Sequence, residues 1–407
     1  MAHLTGRWND VVRAAGLVAP DGTVRATVFA EMSALATRTG AINLGQGFPD
    51  VDGPAHVAEA AVAAIRAGRN QYPPGPGVPE LRSAVALHQE RHYGLRVDPD
   101  TEVLVTVGAT EALAAAVLAL AGPGEEVLTL EPYYDSYAAV VAAAGATHVT
   151  VPLRVVDGSY RLDVEAFRAA VGPRTRIILL NSPHNPTGAV LDRAELEVVA
   201  AAAREHDVVV VTDEVYEHLV YDEAQHVPIA GLPGMAERTL TVSSAGKTLS
   251  FTGWKVGWVA GPAALVDAVR AVKQYLTYVG SGPFQYAVAD ALTDDDGRTR
   301  AWLADLVGSL EKRRDLLCEG LETAGFDVVV PQGTYFVVAD GRPLGFDDGA
   351  ELCARLPDLA GVVGVPVSAF CRDGATGEGF RSAVRFTFVK QEDVLREGVR
   401  RLAALRR

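Results

Sequence analysis

Residues 176–213 read RIILLNSPHNPTGAVLDRAELEVVAAAAREHDVVVVTD. An apolar run, a polar loop, a helical pattern and a second apolar run follow one another. Arg176–Asn181 and Val208–Asp213 are short, rich in Val, Ile and Leu, and nearly continuous. Runs of that kind suit strands buried on both faces of a parallel sheet. Between them, Leu196, Val199, Ala200 and Ala203 share one face of a helix over Arg193–His206. Asp192 stands at its N-cap, and Glu195 three residues on completes a capping box. Two such strands joined by a helix predict a crossover unit of an α/β domain.

The same alternation runs outward in both directions. Val103–Val107, Glu126–Leu130, Thr147–Val151, Leu240–Ser243 and Val256–Val259 are further strand candidates, separated by helical patterns. The expectation is an α/β fold of three layers, a mainly parallel sheet flanked by helices. After about residue 300 the texture changes: a long helix, Trp302–Ala324, precedes strand-like Asp327–Val330, Tyr335–Val338, Val362–Val365 and Val384–Phe388, and a last helix covers Glu392–Leu405. This predicts a smaller α+β domain. The first 50 residues hold one helical pattern, near Val28–Thr37, and the loop Gly45–Asp50. The division expected is 1–52 as an N-terminal arm and part of the small domain, 53–297 as the large domain and 298–407 as the small C-terminal domain. A chain of 407 residues exceeds what one core of about 250–300 residues supports.

Composition narrows the function. Hydrophobic residues make up 49% and charged residues 22%, an ordinary globular balance. The net charge of −14 repels polyanions, which argues against nucleic acid or an anionic membrane as the main ligand. A local basic pocket can still hold a phosphate. Cys318, Cys353 and Cys371 have neither metal-knuckle spacing nor the even count of a disulfide framework, so they read as idle thiols in a reducing compartment and no metal site is expected. The N-terminus lacks a basic-then-apolar signal pattern, and apolar runs such as Ala112–Ala121 fall short of the ~20 residues that span a bilayer. A soluble cytoplasmic protein is expected.

Ligands of α/β sheets sit beyond the carboxyl ends of strands, and the polar clusters of this chain fall there. Val103–Val107 ends in Gly108-Ala109-Thr110, a strand-to-helix turn with free N–H groups for a phosphate. Arg176–Asn181 runs into Asn181-Ser-Pro-His-Asn185-Pro-Thr-Gly188, which displays two carboxamides. Val208–Asp213 ends in an Asp that is costly to bury without a cation, and Tyr216 follows three residues later. Leu240–Ser243 leads into Ser243-Ser-Ala-Gly-Lys247, then Thr252-Gly-Trp-Lys255-Val-Gly257. Taken singly, each reads equally well as a turn, a helix cap or a surface lysine.

Together and in this order they are specific. The chain resembles the fold-type-I pyridoxal-phosphate enzymes, the class I and II aminotransferases, from Asn43-Leu-Gly-Gln-Gly-Phe-Pro-Asp50 to Val384-Arg-Phe-Thr-Phe-Val-Lys390. The resemblance implies pyridoxal 5'-phosphate as cofactor and a ping-pong transamination between an amino acid and a 2-oxo acid. It implies Lys247 as the lysine that bonds the cofactor, Asp213 as partner of the pyridine nitrogen, and Asn185 and Tyr216 as donors to its phenolate oxygen. Tyr134, with Tyr133 as the competing choice, resembles the ring stacked on the cofactor. Ala109, Thr110, Ser244 and Lys255 would hold the phosphate, and Tyr72 would reach the phosphate of a neighbouring subunit, which implies a homodimer with shared active sites. Arg385 resembles the arginine that grips the substrate α-carboxylate, assisted by Gly47 and Asn181.

The Leu-Gly-Gln-Gly-Phe-Pro-Asp start is similar to kynurenine, glutamine and methionine aminotransferases. Asn181 to Val190, Pro283-Phe-Gln285, Gly333-Thr-Tyr-Phe336 and Arg342-Pro-Leu-Gly345 are closer to actinobacterial N-succinyldiaminopimelate aminotransferases. The succinylated substrate, with glutamate and 2-oxoglutarate, is ranked first. It needs a second cation, for which His184, Arg372 and Arg381 are candidates. Phe29, standing where kynurenine-type enzymes commonly carry tryptophan, would form an apolar wall with Tyr278 and Phe370 and favour aromatic or methionine-like donors instead. A cysteine-conjugate β-lyase would use the same constellation. A transcription regulator would need a DNA-binding domain, for which the segment before Asn43 is too short and not basic. A catalytically dead binding protein would not need the intact set of Lys247, Asp213, Asn185 and Arg385.

Overall fold

The unit over 176–213 carries the capping box that its sequence predicts. The Asp192 carboxylate accepts from the Glu195 N–H at 2.9 Å, and the Glu195 carboxylate accepts from the Asp192 N–H at 2.9 Å. Helix Arg193–Glu205 buries Leu196, Val199, Ala200 and Ala203. The structure, a computed structural model, describes residues 6–19, 21–372 and 377–406.

Eight strands form the main sheet: β1 (Val103–Val107), β2 (Glu126–Glu131), β3 (Thr147–Val156), β4 (Ser159–Leu162), β5 (Thr175–Asn181), β6 (Val209–Asp213), β7 (Thr239–Ser244) and β8 (Val256–Ala260). Their order is β1-β8-β7-β6-β5-β2-β3-β4. The central run β7-β6-β5-β2-β3 is parallel throughout. Alternate residues of β5 face opposite layers. Ile177 and Leu179 pack with Leu113 and Val117, whereas Ile178 and Leu180 pack with Leu196 and Val199. Both faces are covered by helices, which is why the strands read as continuous apolar runs. Strand β8 is antiparallel to β1 and β7. The link 245–255 is too short for the helical crossover that a parallel return requires.

A second sheet is antiparallel, in the order β9 (Asp327–Val329), β10 (Phe336–Asp340), β12 (Ala383–Thr387) and β11 (Val365–Pro366). Leu310, Leu317 and Leu321 of the long helix Arg298–Ala324 share a core with Val337, Val384 and Phe386 of this sheet. Ile42–Asn43 pairs in parallel with Val362–Val363, and Leu44 enters the same core. The N-terminal segment is thereby anchored beside the second sheet. No described helix is long and apolar enough to cross a membrane.

Several local readings change. Trp8–Ala14 is helical although only one helix was expected before residue 50; it buries none of its residues, so its sequence carries no core stripe. Helices Ala55–Arg66 and Pro79–Tyr93 also escape the sequence reading. The second buries Arg82, His88 and Gln89 beside Leu81 and Val85, which blurs its apolar periodicity. Lys247 lies on a single helical turn, Ala245–Thr248, rather than in open loop. The residues after Asp213 form turns.

One close approach is critical for the geometry of the cleft. A Cβ on Gly257 of β8 would stand 2.5 Å from the Gly108 carbonyl carbon and 2.7 Å from the Ala109 nitrogen, both backbone atoms that cannot swing aside. Gly172 has open space around it. Gly257→Ala is expected to lower stability by about 1–3 kcal/mol, read as a lower urea midpoint, while Gly172→Ala leaves the midpoint within about 0.5 kcal/mol of the parent.

Candidate active site

The carboxyl ends of β1, β5, β6 and β7 open onto one cleft, and the amino end of the reversed strand β8 joins them. Parallel neighbours bring their carboxyl ends to the same edge, so four separate sequence clusters become one lining. Ala109, Thr110, Tyr134, Asn181, Asn185, Asp213, Tyr216, Ser244, Lys247 and Lys255 all line it. Gly47, Phe29, Arg385, Tyr278 and Tyr72 lie outside that lining, the first three close behind it.

At one end is an anion cradle. Helix Gly108–Leu120 starts at the end of β1 without a side-chain cap, so its first N–H groups, Ala109 and Thr110 among them, remain available to a ligand. Gly108 is left-handed, with φ +71°, and a Cβ there would press on Lys255 Cε and Nζ at 3.1 Å. Lys255 Nζ lies 3.5 Å from Thr110 Oγ1. Burial, and then the neighbouring Lys247 ammonium, lower the Lys255 pKa. Two amines, free helix N–H groups and the Ser244 hydroxyl at the next helix start fit a phosphate.

Asp213 is at the end of β6. Its carboxylate accepts from Tyr137 Oη at 2.7 Å and from the Val215 N–H at 3.4 Å. Burial nevertheless pushes its pKa up to about 6, against the opposing pull of Tyr137, Val215 and Lys247. A buried carboxylate in that condition gains from a cation, which a protonated pyridine nitrogen supplies. Lys247 Nζ donates to Tyr335 Oη at 2.8 Å, and Tyr335 Oη donates to the Gly47 carbonyl at 2.7 Å. The amine also stands 5.6 Å from the Tyr216 ring centre. Among the described residues the lysine is thus held by a phenol rather than by a carboxylate.

Tyr134 faces the cleft, whereas Tyr133 packs edge-on against His148 with ring centres 4.8 Å apart. Burial pushes the Tyr134 hydroxyl up to about 12. Asn181 is committed to the backbone: its amide donates to the Asp213 carbonyl at 2.8 Å and its Oδ1 accepts from the Asn185 N–H at 2.7 Å. Asn185 Oδ1 accepts from Arg385 Nη1 at 3.1 Å, leaving the Asn185 amide nitrogen to donate elsewhere.

Arg385 has the most telling environment. It is 1% exposed, yet it makes no ion pair among the described residues. Nη2 donates to the Gly45 carbonyl at 3.0 Å, and Nε has no partner. The guanidinium is packed against Phe336, Phe370 and Phe29 at 4.0, 4.8 and 5.3 Å from the ring centres. Burial pulls its pKa down to about 10. Such a cation suits an incoming carboxylate.

Tyr72 and Tyr278 are not in the cleft. They meet edge-on on the surface, with ring centres 5.6 Å apart, and Tyr72 is 80% exposed. The candidates for a second cation do not join the cleft either. His184 is buried, hydrogen-bonded to Thr187 at 2.7 Å, and held neutral because burial pulls its pKa down to about 3. Arg381 is spent near Asp348 and Glu378, and Arg372 Nη1 donates to the His148 carbonyl. Two contributors went unassigned in the sequence reading: Tyr335, which holds Lys247, and Tyr137, which holds Asp213. Tyr137 stands three residues past Tyr134 in the same motif. Tyr335 lies 88 residues from Lys247 and carried no local signal.

Comparison with known proteins identifies the family. Residues 39–402 match the family model described as aminotransferase class I and II. A probable N-succinyldiaminopimelate aminotransferase of Mycobacterium tuberculosis is 59% identical, over 93% of this chain and 96% of the relative. The methionine aminotransferase of Escherichia coli is 38% identical, over 93% and 96%. A solved structure of the N-succinyldiaminopimelate aminotransferase of M. tuberculosis superposes with a TM-score of 0.89, covering 93% of this chain and 97% of that one.

The raised Asp213 pKa gives a signed pH dependence. In the cofactor-free protein, folded Asp213 keeps its proton up to about pH 6, whereas the unfolded chain releases it near the ordinary aspartate value of 3.8. Stability therefore falls as pH rises through that window. In cofactor-free protein, Asp213→Asn is expected to raise stability at pH 7–8 by up to about 3 kcal/mol, with the difference vanishing below about pH 4. Urea denaturation of both proteins at pH 4 and pH 7.5 measures it.

Proposed function

Because this chain belongs to the class I and II aminotransferases and uses pyridoxal 5'-phosphate, we propose that Lys247, Asp213, Asn185, Tyr216 and Arg385 carry its transamination, and that its substrate pair is N-succinyl-diaminopimelate with glutamate and 2-oxoglutarate. The observation that carries the site assignment is Arg385, a buried guanidinium that has no carboxylate partner and an unbonded Nε among the described residues. It sits one residue contact, through Asn185, from the cleft that holds Lys247. The substrate assignment is supported by the 59% identity to the M. tuberculosis relative over nearly the whole length of both chains.

Pyridoxal 5'-phosphate, when bound, supplies an aldehyde that takes the amino group and a ring that draws electrons from the substrate Cα. Ala109, Thr110, Ser244 and Lys255 would hold its phosphate end. Asp213 would pair with the ring nitrogen, and the Tyr137 hydrogen bond keeps that carboxylate oriented. Asn185 and Tyr216 would donate toward the phenolate oxygen, and Tyr134 would cover the ring face. Arg385 takes the α-carboxylate in a two-pronged grip, which fixes the Cα–H bond relative to Lys247. Lys247 Nζ would accept the Cα proton and later return it. Tyr335 and the Gly47 carbonyl steady that amine between the two tasks. An oxo acid then runs the steps in reverse, which makes the kinetics ping-pong.

A homodimer is part of the reading. Tyr72, Tyr275, Leu276 and Tyr278 leave large apolar side chains in solvent, Tyr275 at 90% exposure. An apolar group of that kind favours a covering partner. Tyr72 of one subunit would then donate to the phosphate bound by the other.

A second reading, an aromatic or methionine-type aminotransferase, is favoured by the Phe29, Phe336 and Phe370 rings around Arg385.

Steady-state rates with a panel of donors and acceptors separate the two. N-succinyl-diaminopimelate is expected to give the highest kcat/KM; high activity on methionine or phenylalanine, with none on the succinylated donor, would reverse the assignment. Lys247→Ala should abolish turnover together with the absorption band of the covalently bound cofactor. Arg385→Ala should keep that band and lower kcat/KM about a thousandfold for every α-amino acid, the scale of a broken buried charge pair.

A further inference from the structure

Away from the cleft, three histidines from two distant parts of the chain converge. His88 and His92 are four residues apart on helix Pro79–Tyr93, so their side chains share a face. His218 comes from the turns after β6. Ring centres lie 4.6 Å apart for His88–His92, 5.0 Å for His88–His218 and 4.9 Å for His92–His218. One ligand nitrogen from each lies within 4.8 Å of the others.

Two features set this apart from a packed aromatic cluster. His88 Nε2 and His218 Nε2 face each other at 2.8 Å, nitrogen to nitrogen, and His88 Nδ1 is buried without any partner. A hydrogen bond between two ring nitrogens uses one lone pair and one proton, and leaves His88 with a buried polar atom to no benefit. The rings also stand at the spacing of a metal site. Imidazoles on one tetrahedral zinc, with Zn–N of about 2.0–2.1 Å, have centres roughly 5 Å apart. The nearly equal sides of the triangle match that arrangement.

The surrounding charges favour a cation on the inner side. Glu217 is buried next to His218; its carboxylate accepts from Tyr93 Oη at 2.6 Å and from Ser243 Oγ at 2.5 Å. Glu214, also buried, accepts from His226 Nε2 at 2.9 Å. The positive charges of Arg91 and Arg300 act on His92 in the opposite sense. His92 is exposed, which leaves that side open to water as a fourth ligand.

We propose that His88, His92 and His218 form a binding site for a divalent zinc ion, a site that neither the cysteine spacing nor the transamination reading called for. Three neutral nitrogens plus water suit zinc, with cobalt or nickel as substitutes. The ion ties helix Pro79–Tyr93 to the turn that carries Tyr216, and so braces the wall of the cleft from behind. It takes no part in the proton transfers at Lys247.

The test uses tag-free holoenzyme, freed of unbound cofactor and stripped with a chelator. Zinc chloride is titrated calorimetrically, and retained metal is counted by mass spectrometry after gel filtration. The expected result is one equivalent bound by the parent with a raised melting temperature. His92→Ala, at an exposed position that folding tolerates, should weaken binding at least about a hundredfold and abolish the thermal shift. His218→Gln should do the same. Failure of the parent to take up zinc would overturn the proposal, as would equal binding by the parent and His92→Ala. Because the readouts are metal content and melting temperature, they are independent of which amino acid the enzyme transaminates.

Discussion

Asp213 is a carboxylate at the end of a central strand, almost sealed from water. One phenol and one backbone N–H bond it, and burial still drives it toward its protonated form. A group in that state is costly to keep unless a cation arrives. Much of the cleft follows from this constraint. Lys247 supplies part of the compensation, and a cation bound beside the carboxylate would supply the rest. The parallel arrangement of β5, β6 and β7 makes the confrontation possible by bringing three strand ends to one edge.

Arg385 is the mirror image of Asp213, a buried cation lacking its anion. It belongs to the second sheet and reaches the first through Asn185, in the loop after β5, while the Gly45 carbonyl of the N-terminal segment holds it from the other side. Its aromatic surroundings strip it of water without neutralising it. The two buried charges thus sit in different parts of the chain, one suited to the cofactor and the other to the substrate. Both meet the requirement that catalytic electrostatics be organised before the substrate binds. The N-terminal segment closes this assembly, since Gly45 and Gly47 accept from Arg385 and Tyr335.

Legibility in the sequence followed the reach of the interactions. The alternation of strands and helices from residue 100 was readable because each buried strand advertises itself by a continuous apolar run. The capping box at Asp192 was readable because both partners are three residues apart. Helix Pro79–Tyr93 was not, because its inner face is partly built from Arg82, His88 and Gln89, and His88 meets its partner His218 from 130 residues away. The same cause hid the histidine triangle. Tyr335 and Tyr137 were missed as contributors because a tyrosine has many uses, and only distance to Lys247 or Asp213 singles one out.

The sequence alone determined the class of fold, the family and the chemical types at the strand ends, because local periodicity and the order of motifs are properties of the chain taken one segment at a time. The tertiary structure decided what depends on meeting across the chain: the turning of Tyr134 rather than Tyr133 into the cleft, the neutrality of His184, the aromatic enclosure of Arg385 and the convergence of His88, His92 and His218. Burial and distance are set by packing between segments far apart in sequence, and a one-dimensional pattern holds no record of them.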